Sequence, residues 1–351
     1  MAMVAESIQT QFPRKLKKKL VRRAGKNRSQ IIRHTVQAVF LLLNVWMGVG
    51  FYRFVRGYET GAPPLPRPAG VEGWLPIASL MNLKDWILSG EIPRLHPAGM
   101  FLLLAFVAMS LLFRKAFCGW LCPVGTISEQ LWKAGRQAFG RTLTPPRWLD
   151  IPLRGLKYLL LGLFLYAVGS MPVEAIRQFL GSPYGIISDV KMLNFFRFLS
   201  VTGAGVLVVI VALSFAVKNF WCRYLCPYGA LMGFFSAASP VRIRRSESAC
   251  IDCGKCAKAC PSMLPVDQLI QIRSVECTAC LECVAVCPAE SALELSVAPR
   301  RVVPAWAVAA GIAVLFLGTV GWAKYTGHWD TVVPDGVYRE LIPRASSLSH
   351  P

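Results

Sequence analysis

Eight cysteines fall in two blocks of identical spacing, CIDCGKCAKACP (Cys250, Cys253, Cys256, Cys260) and CTACLECVAVCP (Cys277, Cys280, Cys283, Cys287), every position repeating at an offset of 27 residues. A C-x2-C-x2-C-x3-C-P run presents three sulfurs on one tight loop, which suits three irons of a 4Fe-4S cube. The proline then turns the chain so that the fourth thiolate reaches the other cube. The spacing predicts two 4Fe-4S clusters, one on Cys250, Cys253, Cys256 and Cys287, the other on Cys277, Cys280, Cys283 and Cys260. Zinc is the competing occupant, but zinc sites pair two Cys-x-x-Cys knuckles and need neither a third close thiol nor the Cys-Pro ending.

The other four cysteines form a second repeat. FCGWLCPVG, with Cys118 and Cys122, returns 104 residues later as WCRYLCPYG, with Cys222 and Cys226, and no thiol is left over. Members of a pair four residues apart share a face if each motif sits on a helical turn, and the duplication would bring both pairs toward one axis. Four convergent thiolates could hold a third iron-sulfur centre, a single metal or a redox-active dithiol, since soft sulfur ligands suit iron, zinc and cuprous copper alike. Packing of small polarizable side chains is the bland alternative.

These thiols need elements to position them. The chain is 54% hydrophobic and 17% charged, and its charge-free runs (35–52, 95–113, 158–173, 198–217 and 302–323) approach spanning length. Its net charge of +20 is distributed as membrane topology rather than as a nucleic-acid surface. Ten Lys and Arg precede the first run, eight lie between the second and third and ten between the fourth and fifth, against five, three and three in the alternate segments. The positive-inside rule then places the amino terminus, both Cys-x-x-x-Cys-Pro motifs and the cysteine-rich segment in the cytoplasm of a bacterial inner-membrane protein, with the carboxyl terminus periplasmic. The predicted fold is a membrane all-α protein of five transmembrane helices, a duplicated pair of two-helix hairpins plus one. A cytoplasmic two-cluster ferredoxin-like α+β domain is inserted before the last helix. The expected divisions are a basic tail (1–33), a four-helix membrane domain (34–245), the two-cluster domain (246–298), a fifth helix (299–323) and a short tail (324–351). The run RKLKKKLVRRAGKNR reads as an anchor on anionic lipid. The Arg22-Arg23 pair lacks a following small-residue cleavage site, so the first helix is expected to be retained.

The segments expected outside, GWLPIASLMNLKDWILSG and GSPYGIISDVKMLNFF, are too apolar for free linkers. They predict short interfacial or re-entrant helices, which either anchor the protein at the headgroup layer or roof a quinone pocket. Oxidation of a quinol there needs a proton acceptor. The weak candidates are His96, Asp85 and Glu72, followed by Glu91 and Asp189, with Lys84 and Lys191 nearby; each is more often a solvated charge. With histidines only at positions 34, 96, 328 and 350 and no C-x-x-C-H, haem is poorly supported. No glycine-rich dinucleotide fingerprint appears.

These motifs resemble the membrane-bound polyferredoxins, a family that includes the NapH-type quinol dehydrogenase subunits, NosR-type proteins and YccM-type electron transport proteins. FCGWLCPVG, WCRYLCPYGAL, the paired cluster motifs, RPAGVEGWLPIASLMNLK and SPYGIISDVKML carry the resemblance, over about residues 33–295. It implies electron transfer between the quinone pool and a redox partner, either ferredoxin-like or a periplasmic reductase, with Cys118, Cys122, Cys222 and Cys226 needed for activity. The chain departs from NosR-type members in lacking a large flavin-binding domain and from CcoG-type members in lacking an immunoglobulin-like domain, and it has one helix more than the NapH pattern. The rival functions are a copper or iron reductase and a redox-sensing or assembly factor.

Overall fold

The computed structural model describes residues 21–23, 25, 27–298 and 301–350, so most of the basic run expected to anchor on lipid lies outside the described residues. Its described end is not free: Arg23 N–H donates to Pro288 O, and Arg23 Nη1 to Val284 O at 3.0 Å, tying the Arg22-Arg23 pair to the cysteine-rich unit.

The first half of the chain runs α1 (Ser29–Thr60), a 3-10 turn (Ala69–Trp74), α2 (Pro76–Ser89), α3 (Pro97–Phe113), α4 (Pro123–Phe139), α5 (Arg147–Ser170) and α6 (Val173–Leu180). The second runs α7 (Pro183–Ile186), α8 (Ser188–Arg197), α9 (Val201–Ala216), α10 (Pro227–Ser236), α11 (Lys255–Ala259), α12 (Glu282–Ala285), α13 (Ala305–Tyr325) and α14 (Asp335–Leu341). A three-stranded antiparallel sheet of order β1-β2-β3, made of β1 (Arg242–Arg245), β2 (Leu293–Ala298) and β3 (Arg301–Val302), closes the cysteine-rich loops. Ile243 pairs with Leu295 in its buried face.

All five apolar runs are helical, yet among the described residues only α1, α5 and α13 are each long and apolar enough to cross a membrane. A fourth span appears if α8 and α9, bent by 81° at their junction, are counted as one. Three spans, or four with the bent pair, are thus shown by length and composition, and the expected five are not. Helix α3 is the marginal case: its 17 residues rise about 25 Å, at the short end of spanning length. Eleven of them are buried, against α2, α10 and α13. An apolar run faces either lipid or protein, and composition does not distinguish the two.

The hairpin repeat is seen in detail. Helix α3 ends at Arg114 (φ 64°) and the stretch after α9 turns at Asn219 (φ 49°), left-handed positions that side chains other than glycine seldom adopt. Each reversal leads into a π turn, Phe117–Leu121 or Trp221–Leu225, and then into a helix with proline in its first turn, α4 or α10. The motifs thus ride on π turns rather than on the regular α-helical turn expected for a four-residue spacing. The carboxy-terminal segment is also ordered: α14 lays Tyr338 edge-on against Phe54, and Tyr58 donates to Asp335.

Close packing of α4 on α9 rests on Gly135, where a β-carbon would lie 1.9 Å from Phe215 O. Gly135→Ala is expected to destabilise the protein by about 1–3 kcal/mol, seen as a lowered Tm in detergent with unchanged iron content in the surviving folded fraction.

Candidate functional site

The two cluster loops share one backbone. Asp252 and Gly254 in the first, and Ala279 and Leu281 in the second, all take left-handed conformations at the same offset of 27 residues, so that each loop curls its thiols toward one centre. Cys260 lies with Cys277, Cys280 and Cys283 around a single void, within charge-interaction range of all three. Cys256 faces Cys287 across the unit. The chain therefore brings the fourth cysteine of each block to the other block, the juxtaposition that two cubes require. Cys253 is exposed and Cys283 buried, so the first loop lies nearer the surface. Burial, more than any neighbour, pushes the Cys280 thiol up to about 12, a cost that falls away when a thiolate binds metal.

Cys118, Cys122, Cys222 and Cys226 also come together, all four lining one cavity. Cys118 feels Cys226, and Cys222 feels the other three. Cys122 and Cys226 occupy the N-cap positions of α4 and α10, and Gly229 N–H donates to Cys226 Sγ at 3.3 Å. A helix amino terminus favours an anionic sulfur. In the first copy Gly125 is obligatory, because a β-carbon there would lie 2.5 Å from Cys118 O. Burial raises the Cys118 thiol to about 11 against the opposing pull of Lys115. Four soft donors on two rigid turns can hold a metal or cluster, or exchange electrons as dithiols.

Buried ion clusters fasten the cysteine-rich unit to the helices. Glu276, next to Cys277, accepts from Lys157 at 2.7 Å, from Tyr158 at 3.0 Å and from Lys115 at 3.2 Å. Burial pushes its carboxyl up, but the lysines pull it down to about 2. Arg33 of α1 donates to Glu129 of α4 at 2.6 Å and to Glu282 of α12 at 2.8 Å, while Lys133 joins the same two carboxylates. Arg223 pairs with Asp150 at 2.9 Å and donates to Ser262 O. The second cluster loop is held against the first thiol motif by Trp120 Nε1 donating to Ala279 O at 3.0 Å, and against α1 by Gln30 donating to Cys280 O at 2.9 Å. Cys280 consequently lines the same cavity as the four thiols.

That cavity, about 1130 Å³, reaches from the thiols past Phe106, Leu102 and Phe40 to Arg67, Trp74 and Trp329 at the opposite end of α3. The apolar segments read as possible roofing are helical, and Pro76, Ile77 and Leu80 of α2 form part of its wall. Of the acid-base candidates, Glu72 and His96 are brought together and fully buried, with Asp189 beside them. Asp85 is not among them: it pairs with Arg177 at 2.9 Å, which also reaches Glu91. Lys84 donates to the carbonyls of Val168, Gly169 and Met171, and Lys191 lies over the Tyr184 ring. Sequence reasoning missed Arg67, which bridges Glu72 (2.8 Å) and Asp189 (2.6 Å), and Thr331, which donates to Glu72. A lone arginine in a proline-rich loop and a threonine in the tail carry no spacing signal.

Comparison with known proteins places the same segments in iron-sulfur families. The 4Fe-4S binding domain family matches residues 95–142 and again 199–246, one match on each hairpin, and the 4Fe-4S dicluster domain family matches 242–288. The chain is 48% identical to the YccM protein of Escherichia coli (strain K12) over 326 residues, 91% of each chain. It is 25% identical to the ferredoxin-type protein NapH of the same strain over 59% of this chain and 70% of NapH. With the protein NirI of Paracoccus denitrificans (strain Pd 1222) it shares 28% identity over 61% of this chain but 31% of NirI. No solved structure matches at a significant level. Fold and site define a mostly helical membrane protein with a 4Fe-4S ferredoxin-like region. The chain belongs to the family of ferredoxin-type 4Fe-4S electron transport proteins that includes YccM.

Removing Glu129 leaves Arg33 charged and buried without its main partner. Glu129→Ala is expected to cost about 3–5 kcal/mol and to loosen the cysteine-rich unit, measured as a lower Tm and faster loss of iron to a chelator.

Proposed function

We propose that the protein passes electrons between the quinone pool of a bacterial inner membrane and a redox partner on the cytoplasmic or periplasmic side. The carrying observation is that the four thiols of the two Cys-x-x-x-Cys-Pro motifs and Cys280 of the second cluster loop line one largely apolar cavity running the length of α3. Cys250, Cys253, Cys256 and Cys287 would hold one 4Fe-4S cluster, and Cys277, Cys280, Cys283 and Cys260 the other. When bound, the cubes supply one-electron carriers. Cys118, Cys122, Cys222 and Cys226 would hold a third centre at the point where the cavity meets the second loop. The repeated 4Fe-4S binding match over both Cys-x-x-x-Cys-Pro hairpins supports iron there. An amphipathic quinol fits a cavity with apolar walls and polar ends. The exposed first loop, with Cys253 at its edge, is the natural contact for the partner.

Iron and acid-labile sulfide per chain are the first measurement, on anaerobically purified protein and on a variant with Cys118, Cys122, Cys222 and Cys226 all changed to Ser. Clearly more than about eight irons in the parent, falling to about eight in the variant, is the expected result. Equal values near eight would remove the third iron centre and favour a dithiol or another metal. Adding a short-chain menaquinol anaerobically should then reduce the clusters, read by EPR. Indifference to quinol together with oxidation of reduced clusters by cupric ion would replace this reading with a metal reductase.

A further inference from the structure

The end of the cavity remote from the thiols holds a buried charge cluster that electron transfer alone does not use. Arg67 bridges Glu72 at 2.8 Å and Asp189 at 2.6 Å, and His96 stands beside Glu72 with its Nδ1 3.6 Å from Oε1. Glu72, His96 and Asp189 are all but inaccessible to solvent, while Arg67 forms part of the cavity wall. With one arginine and two carboxylates, the cluster carries one net negative charge while His96 is neutral. Uncompensated charge is costly at such burial, and one proton on His96 makes the cluster neutral.

Hydrogen bonding shows where that proton goes. His96 Nε2 lies 2.9 Å from Gly185 O, and a carbonyl only accepts, so Nε2 carries its hydrogen in either charge state. Nδ1 is buried without a hydrogen-bond partner and faces the Glu72 carboxylate. It is therefore the position that gains and loses a proton. Burial pulls the imidazolium down, but Glu72 and Asp189 more than offset this and hold His96 above its ordinary value, against the repulsion of Arg67. Tyr338 of α14 also faces the cluster. An exit adjoins it: Thr331 donates to Glu72 and accepts from the backbone N–H of His96 at 3.0 Å, and the neighbouring Asp330 is exposed and lines the cavity.

Resting on the quinol reading above, we infer that Arg67, Glu72, His96 and Asp189 form a proton-loading site, which takes protons one at a time from a quinol hydroxyl and releases them at the face opposite the cysteine-rich unit. A quinol oxidised to quinone gives up two electrons and two protons. The electrons would leave one by one toward the cysteines at the foot of α3 that would hold the iron-sulfur carriers, while His96 gives its Nδ1 proton outward on the side of Thr331 and Asp330 and, once empty, is reloaded with a proton from the quinol behind the Arg67 wall. Electrons and protons thus part at opposite ends of a helix rising about 25 Å, so turnover separates charge across the protein.

Two measurements test this. The chain has four histidines, so protein labelled with 13C in its histidine rings gives a resolvable titration, and H96Q, whose amide can still donate to Gly185 O, identifies the His96 signal. His96 is expected to protonate above the ordinary value near 6.5, and in E72Q its proton affinity is expected to fall at least tenfold. A His96 that titrates like a free imidazole, or ignores E72Q, overturns the inference without any turnover. E72Q leaves His96 in place, so this result stands even if H96Q fails to fold. The second measurement is cluster reduction by short-chain menaquinol against pH. H96Q with parental iron content is expected to react at least tenfold more slowly and to lose one protonation step from the profile. Unreactive parent protein would defeat the quinol reading and leave the histidine titration to decide the site. A reactive parent and an H96Q of equal rate and profile would defeat this inference alone.

Discussion

Glu276 sits between Lys115 at the foot of α3 and Lys157 of α5, and the helices and the cysteine-rich unit can meet only while all three charges are buried together. A buried ammonium without a carboxylate is strongly disfavoured, whereas the complete cluster is tolerated. The arrangement leaves little freedom of register, since Glu276 immediately precedes Cys277 and Lys115 lies three residues before Cys118. Satisfying the ions therefore also sets the second cluster loop against the first thiol motif. Arg33 with Glu129 and Glu282, and Arg223 with Asp150, repeat the device around the same seam.

The thiol foot depends equally on two backbone reversals. A regular α-helix continuing past Arg114 or Asn219 would carry each pair of cysteines onward along its axis. A left-handed residue followed by a π turn instead folds the motif back over the end of its own hairpin, and proline at the start of the next helix fixes the departure. Because the two copies do this alike, their sulfurs converge. Donors held on short turns that pack into the protein are rigid.

At the far end of α3 the carboxy-terminal segment completes the structure. Thr331 meets Glu72, Tyr338 packs on Phe54, and Lys191 donates to Leu348 O. A stretch too short to fold alone lines the remote end of the cavity with Gly327, Trp329 and Asp330 and covers the buried Arg67 cluster.

Cluster chemistry, the hairpin duplication and the four-thiol repeat were legible from sequence, because each is written in cysteine spacing and in motifs recurring at fixed offsets of 27 and 104 residues. Helix positions followed from charge-free runs for the same local reason. The number of spans did not: α3 is as apolar as a lipid-facing helix because it is buried by protein, and composition reports apolar surroundings without naming them. Nor could spacing single out Glu72 and His96 from Asp85, which a neighbouring arginine claims, or find Arg67, which ties Glu72 to Asp189 122 residues from itself, and Thr331, whose partner Glu72 lies 259 residues away. Sequence determined which groups could do redox chemistry, since that resides in side-chain type and local spacing. Tertiary structure alone decided which buried charges share a site, because only long-range packing removes water and makes each one need the others.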